Sequence, residues 1–118
     1  MATSTDPTAG WIDTLDFYAQ GVAIDFINDL RTNYRLPAII TSGRRTLAEQ
    51  QSLLLQGRTT TLQSKHLQGL AFDIDMYGWN RNSVPAWVWQ EIGPVGESYG
   101  LTWGGRWTSF VDVGHFEI

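Results

Sequence analysis

The chain has 118 residues, a formal net charge of −4, 42% hydrophobic residues, six tryptophans and no cysteine. That length suits one domain and that apolar content suits a real core, while the acidic balance and the lack of any basic run argue against a nucleic-acid partner. Disulfides, thiolate metal sites and cysteine nucleophiles are excluded, no apolar run approaches the ~20 residues of a membrane span, and any metal site must use histidine and carboxylate.

Residues 1–10 read as a flexible leader, polar and without the charged and apolar regions of a signal peptide. Synthesis in a cytoplasm and release by another route are therefore expected. A first helix is expected over residues 14–34, with Trp11, Leu15, Tyr18, Val22, Phe26 and Leu30 as its apolar stripe and Asp13 or Thr14 as its cap. Nothing in it suggests more than core packing. After Pro37, residues 38–41 form a short apolar strand, and Ser42-Gly43-Arg44-Arg45 a tight turn. Thr46 and Glu49 then make a capping box for a second helix that runs to about Gln56, with Gly57 just beyond its end. The two arginines stand where a strand hands over to a helix, a position open to a substrate-facing pair or to a plain surface pair.

Residues 58–65 are a polar loop that leads to His66, one of two histidines in the chain. From Leu70 to Met76 the residues alternate: Leu70, Phe72, Ile74 and Met76 point one way, Ala71, Asp73 and Asp75 the other. Two aspartates on one strand face repel each other, so a cation or strong donor is expected beside them. A third helix begins near Val84-Pro85, with Val84, Val88, Ile92 and Val95 as its apolar face, and Gly93-Pro94 is expected to kink or end it. Residues 101–103 read as a short strand, Gly104-Gly105 as a turn, and residues 110–118 as a loop passing into a last strand.

The second histidine, His115, lies in that last strand. It shares a face with Glu117, and Asp112 precedes it by three residues. A catalytic zinc takes three protein ligands and leaves a fourth position open. His66, Asp73 and His115 supply two imidazoles and one carboxylate, provided the chain reverses at Gly69 and the last strand lies beside the aspartate strand. A bend at Gly114 would let Asp112 turn inward as general base toward an attacking water and then as acid to the leaving amine. Arg45 would stabilise an oxyanion or hold a substrate carboxylate.

The string SxHxxGxAxD, here Ser64 to Asp73, resembles the zinc peptidases of the D-alanyl-D-alanine carboxypeptidase and L-alanyl-D-glutamate endopeptidase group (VanY-like, peptidase M15). Residues 101–110, followed by Asp112-Val-Gly-His115-Phe116, are similar to its phage endolysin branch, as is the SGxR…Q…QGR pattern carried by Ser42, Gly43, Arg45, Gln50 and Gln56-Gly57-Arg58. The resemblance implies an α+β fold with helices packed on a small antiparallel sheet (Hedgehog/DD-peptidase-like), residues 11–118 being one catalytic domain. It implies zinc on His66, Asp73 and His115, Asp112 as catalytic acid and base, and Arg45, Ser64 and Gln50 at the substrate. The substrate implied is the peptidoglycan stem peptide, cut at L-Ala-D-Glu or, alternatively, at D-Ala-D-Ala, by a monomer that acts on the cell wall during host lysis. Arg106, Gly114 and Arg44 depart from the pattern, where an aspartate, a proline and an aromatic residue are usual. No wall-binding module is expected after Ile118. Asp75 is left as a support to a ligand histidine or a solvated strand residue. Two other readings compete: a two-histidine, one-carboxylate iron oxygenase, which usually carries its carboxylate two residues after the first histidine, and a non-catalytic wall-binding or virion protein on the same fold.

Overall fold

The computed structural model describes residues 6–59, 61, 63–80 and 83–118. Among these residues are four helices, α1 (Thr8–Ile12), α2 (Phe17–Thr32), α3 (Leu47–Leu55) and α4 (Ala86–Ser98), and four strands, β1 (Ala38–Ser42), β2 (Ala71–Met76), β3 (Thr102–Trp103) and β4 (His115–Glu117). The strands form one sheet in the order β1-β2-β4-β3, antiparallel at every junction. The fold is thus the expected α+β class, with helices packed on a small antiparallel sheet.

The core lies between α2, α4 and one face of the sheet. Ala19, Ala23, Phe26, Ile27 and Leu30 are the buried positions of α2, at the three-to-four spacing of one helical face. Phe26 meets Phe116 edge-on with ring centroids 4.8 Å apart, and Phe72 stacks on Phe116 at 6.2 Å. From α4, Val88 and Ile92 close the same cluster. A fully buried aliphatic or aromatic side chain contributes about 1.5–3 kcal/mol each, so this layer is where the fold draws its stability.

Several boundaries fall elsewhere than the sequence pattern places them. The helix expected from residue 14 is α2, which begins at Phe17, and its cap is Asp16, whose side chain accepts from the Tyr18 N–H at 3.2 Å. The Asp16 N–H is taken by the Gly69 carbonyl at 2.9 Å, and the chain leaves the helical path between Ile12 and Phe17. A stripe drawn through that break is rotated by about one residue, which is why Tyr18 is 65% exposed while Ala19 is buried. The last three residues of the expected leader are helical: Thr8 opens α1, is buried, and its hydroxyl accepts from the Ile40 N–H of β1 at 3.0 Å. Residues 1–5 of that leader lie outside the described residues.

Pro94 neither ends nor interrupts α4. The carbonyl it deprives of a partner belongs to Gln90 on the exposed face, where water can reach it. On the opposite face, a Cβ at Gly93 would meet the Trp103 ring at 2.3 Å, and one at Gly96 would meet the Phe116 ring at 2.5 Å. The two glycines let α4 lie directly on the sheet. The capping box of α3 is present as the sequence indicates, with Thr46 Oγ1 accepting from the Glu49 N–H at 3.1 Å and Glu49 accepting from the Thr46 N–H at 2.8 Å. Among the described residues, no helix is long and apolar enough to cross a membrane.

Candidate metal centre and its cleft

The other face of β2 carries Asp73. Its Cα is paired across the sheet with Ser42 of β1 on one side and His115 of β4 on the other. Gly114 makes this register feasible: its carbonyl accepts from the Ile74 N–H at 2.8 Å, and a Cβ there would strike the Ile74 carbonyl oxygen at 2.7 Å. His66 arrives from a 3₁₀ turn over Lys65–Gln68, capped by the Ser64 hydroxyl, which accepts from the His66 N–H at 3.1 Å. Gly69 follows with φ 69°, a left-handed conformation that costs glycine nothing. The chain reverses there and feeds β2, so His66 and Asp73 face each other.

His66, Asp73 and His115 place one ligand-type atom each within 4.8 Å of the others. Asp73 Oδ1 lies 3.3 Å from His66 Nε2 and 3.2 Å from His115 Nδ1, and the two rings stand 5.0 Å apart at 67°. Both histidines are buried, at 1% and 5% exposure.

The far nitrogen of each ring decides what the near nitrogen can do. His66 Nδ1 is 2.7 Å from the Gly43 carbonyl, and His115 Nε2 is 2.8 Å from Glu117 Oε1. A carbonyl and a carboxylate only accept, so each far nitrogen carries the hydrogen. In the neutral rings the near nitrogens are then bare lone pairs, both aimed at a carboxylate oxygen. Three acceptors pointed at one another in a buried site require a cation between them. This donor set, with each imidazole oriented by an acceptor behind it, fits a divalent metal of the zinc type.

Without a metal, protons must serve. Burial alone would lower the His115 pKa, but hydrogen bonds to Asp73 and Glu117 and the negative charges of Asp73 and Asp112 outweigh it and push it up to about 9. Burial raises Asp73, yet hydrogen bonds from His115 and His66 and their charges prevail and hold its carboxyl far below the usual range. Glu117 is lowered chiefly by its hydrogen bond from His115, against burial, with the charges of His115 and Lys65 assisting.

The remaining expected residues take these places. Arg45 donates from one terminal nitrogen to Asp73 Oδ2 at 3.0 Å and from the other to Gln50 Oε1 at 3.1 Å. Gln50 is fully buried and donates onward to the Thr61 carbonyl at 2.8 Å. It therefore ties Arg45 to the loop before His66. The Ser64 hydroxyl caps the His66 turn and also borders the cleft. Arg44 is separate from its neighbour: its side chain donates to the carbonyls of Thr14 and Leu67, at 3.0 and 3.1 Å, and ties the turn before α2 to the His66 turn. Arg106 pairs with Glu97 of α4. Asp75 is not one of the three converging groups; its carboxylate accepts from the Met76 N–H at 2.9 Å.

Asp112 sits in the turn that leads into β4. Its N–H donates to the Gly104 carbonyl at 3.1 Å, and its own carbonyl accepts from the His115 N–H at 3.2 Å. It lines a cleft of about 300 Å³ with His66, His115, Trp107, Phe110 and Arg58. A second hollow of about 630 Å³, bordered by Asp73, Arg45, Val111 and again Asp112, Phe110 and Arg58, adjoins it. Two site residues escape a reading of the sequence. Trp107 lies over His115 with ring centroids 4.9 Å apart, and no periodicity marks it. Glu117 supports His115, and the shared strand face was its one signal.

Residues 57–118 match the family model described as D-alanyl-D-alanine carboxypeptidase. The peptidoglycan L-alanyl-D-glutamate endopeptidase CwlK of Bacillus subtilis (strain 168) is 30% identical, over 80% of this chain and 68% of its own length. Among solved structures, the L-Ala D-Glu endopeptidase ChiX of Serratia marcescens superposes with a TM-score of 0.70 at 20% identity, covering 100% of this chain and 90% of its own. A variant of the vancomycin-resistance D,D-pentapeptidase VanY, solved in complex with Zn(II), gives a TM-score of 0.66 at 20% identity, over 87% of this chain and 71% of its own.

Proposed function

This chain belongs to the D-alanyl-D-alanine carboxypeptidase family of peptidases (peptidase M15), and from that premise we propose that it is a zinc-dependent peptidase that cuts the L-Ala-D-Glu bond of peptidoglycan stem peptides. The observation that carries the metal is the pair of imidazoles whose far nitrogens are committed to acceptors while their near nitrogens converge on Asp73 Oδ1. His66 would hold zinc through Nε2, His115 through Nδ1 and Asp73 through its carboxylate. A zinc ion so held supplies Lewis-acid polarisation of a carbonyl and activation of water near neutral pH.

The chain's own groups do the rest. Arg45 fixes the Asp73 carboxylate by its outer oxygen, leaving Oδ1 turned to the imidazoles. Trp107 and the Glu117 carboxylate restrain the His115 ring. Asp112, at the cleft wall beside His115, takes the proton of the attacking water and hands it to the departing amine. General acid–base catalysis of this kind contributes about 10²–10⁴ in rate.

The choice of bond leans on CwlK, whose name gives L-Ala-D-Glu cleavage, and on the endolysin-like segment over residues 101–110. By that resemblance the chain works in the cell wall during host lysis. Mass analysis of products from purified sacculi tests the reading. L-Ala-D-Glu cleavage frees peptides that begin at D-Glu and leaves single L-Ala residues on the glycan, whereas D-Ala-D-Ala cleavage frees only D-Ala. A chelator should stop the release and zinc restore it. Asp112→Ala should abolish it with zinc still bound. Intact sacculi in the presence of bound zinc would remove the enzyme reading.

A further inference from the structure

Among the described residues, three arginine or lysine side chains border the cleft, and two of them already have partners. Arg45 is held by Asp73 and Gln50. Lys65 lies 3.6 Å from Glu117 and donates to the Ile118 carbonyl. Arg58 is the third. Its backbone is fixed, since its N–H donates to the Leu53 carbonyl at 2.9 Å just after Gly57 closes α3 with φ 71°. Its guanidinium has no hydrogen bond or ion pair among the described residues, yet it lines both hollows on either side of Asp112 and Phe110.

A planar guanidinium with five donors matches a carboxylate in bidentate geometry. On a chain of net charge −4, an uncommitted cation that lines the same two hollows as Asp112 suits an anion brought by the substrate. We propose that Arg58 is the specificity-determining residue that reads a free carboxylate of the peptide. Under the peptidase reading above, on which this rests, that group is the α-carboxylate of D-Glu. The D-Glu residue is linked onward through its side-chain carboxyl, so its α-carboxylate stays free next to the scissile bond. A peptide's terminal D-Ala carboxylate offers the same chemistry. Arg45, also expected to hold a substrate carboxylate, already gives one N–H from each terminal nitrogen to Asp73 and Gln50, so Arg58 offers the fuller bidentate face.

The test uses the zinc-loaded full chain carrying Asp112→Asn, so that binding is read without turnover. Calorimetry compares L-Ala-γ-D-Glu-L-Lys with its α-carboxamide, and L-Lys-D-Ala-D-Ala with its terminal carboxamide. With Arg58 present, one free acid should bind about ten- to a hundredfold tighter than its amide, the span of a charge-assisted pair. Arg58→Gln should bring that ratio close to one, and Arg58→Lys should keep part of it. The pair that shows the effect identifies the carboxylate. A ratio that survives Arg58→Gln, or ratios near one in both pairs with Arg58 in place, would overturn the proposal. Cleavage by the chain with Asp112 intact separates the two claims. Arg58-dependent binding without cleavage removes the peptidase and keeps the carboxylate reader; cleavage with Arg58-independent binding does the reverse.

Discussion

Neighbouring residues on the same strands build two opposite environments. On the helical face of the sheet, Phe72 and Phe116 meet Phe26 with centroids 4.8–6.4 Å apart. One residue along each strand, Asp73 and His115 bring a carboxylate oxygen within 3.2 Å of an imidazole nitrogen. The first face is held by apolar area, which is non-directional and tolerates swaps of similar volume. The second is held by lone pairs aimed at a point, which tolerate almost nothing. Stability and chemistry are therefore separable by a step of one residue, and substitutions can break either side alone.

His115→Ala should show the largest loss. It removes a ligand and leaves Asp73 and Glu117 without their shared partner, so zinc should no longer be retained against a mild chelator and peptide release should fall to background. Its neighbour gives the opposite result. Phe116→Ala should cost about 3–5 kcal/mol in urea unfolding, through the cavity it opens under Phe26, while the protein that remains folded keeps its zinc. If Phe116→Ala sheds zinc without losing stability, the two faces are not separable. Glu117→Gln probes the support behind His115. It should weaken zinc affinity by about 10–100-fold in chelator competition and hardly move the unfolding midpoint of the metal-free chain compared with Phe116→Ala.

The smallest effect is graded with pH. In the metal-free chain His115 is raised from 6.5 to about 9, so zinc must displace a proton over that range. Affinity should climb about tenfold per pH unit until pH approaches 9, then level off. The fold responds with the opposite sign. A raised pKa means the protonated ring stabilises the metal-free fold fully below about 6.5, and this contribution is lost as pH rises through about 9. Unfolding midpoints of the metal-free chain at pH 6 and pH 9.5 measure it.

The helical face was legible in the sequence because apolar periodicity survives errors of boundary. Phe26 and Leu30 lie on the buried face as the pattern indicates, even though the helix starts three residues later than that pattern suggests. What shifts the boundary is a non-local bond, from the Asp16 N–H to the Gly69 carbonyl. The glycines of α4 looked like breakers, since their purpose, making room for Trp103 and Phe116, lies on other strands. On the site face, the two histidines and the alternating aspartate strand were visible because both rings of the chain fall beside carboxylates. Which nitrogens converge was not visible, because it depends on Gly43 and Glu117 behind the rings. Arg44 and Arg45 are adjacent and alike in sequence, yet one ties two turns together and the other holds Asp73. Only the direction of each side chain after β1 distinguishes them.

Anomalous X-ray diffraction at the zinc edge, from crystals grown with zinc, tests the metal centre directly. The account predicts one ion per chain between His66 Nε2, His115 Nδ1 and an Asp73 carboxylate oxygen, at about 2.0–2.2 Å from each, with Gly43 and Glu117 still behind the rings. Zinc bound at other residues, or imidazoles that turn their far nitrogens toward it, would contradict the account.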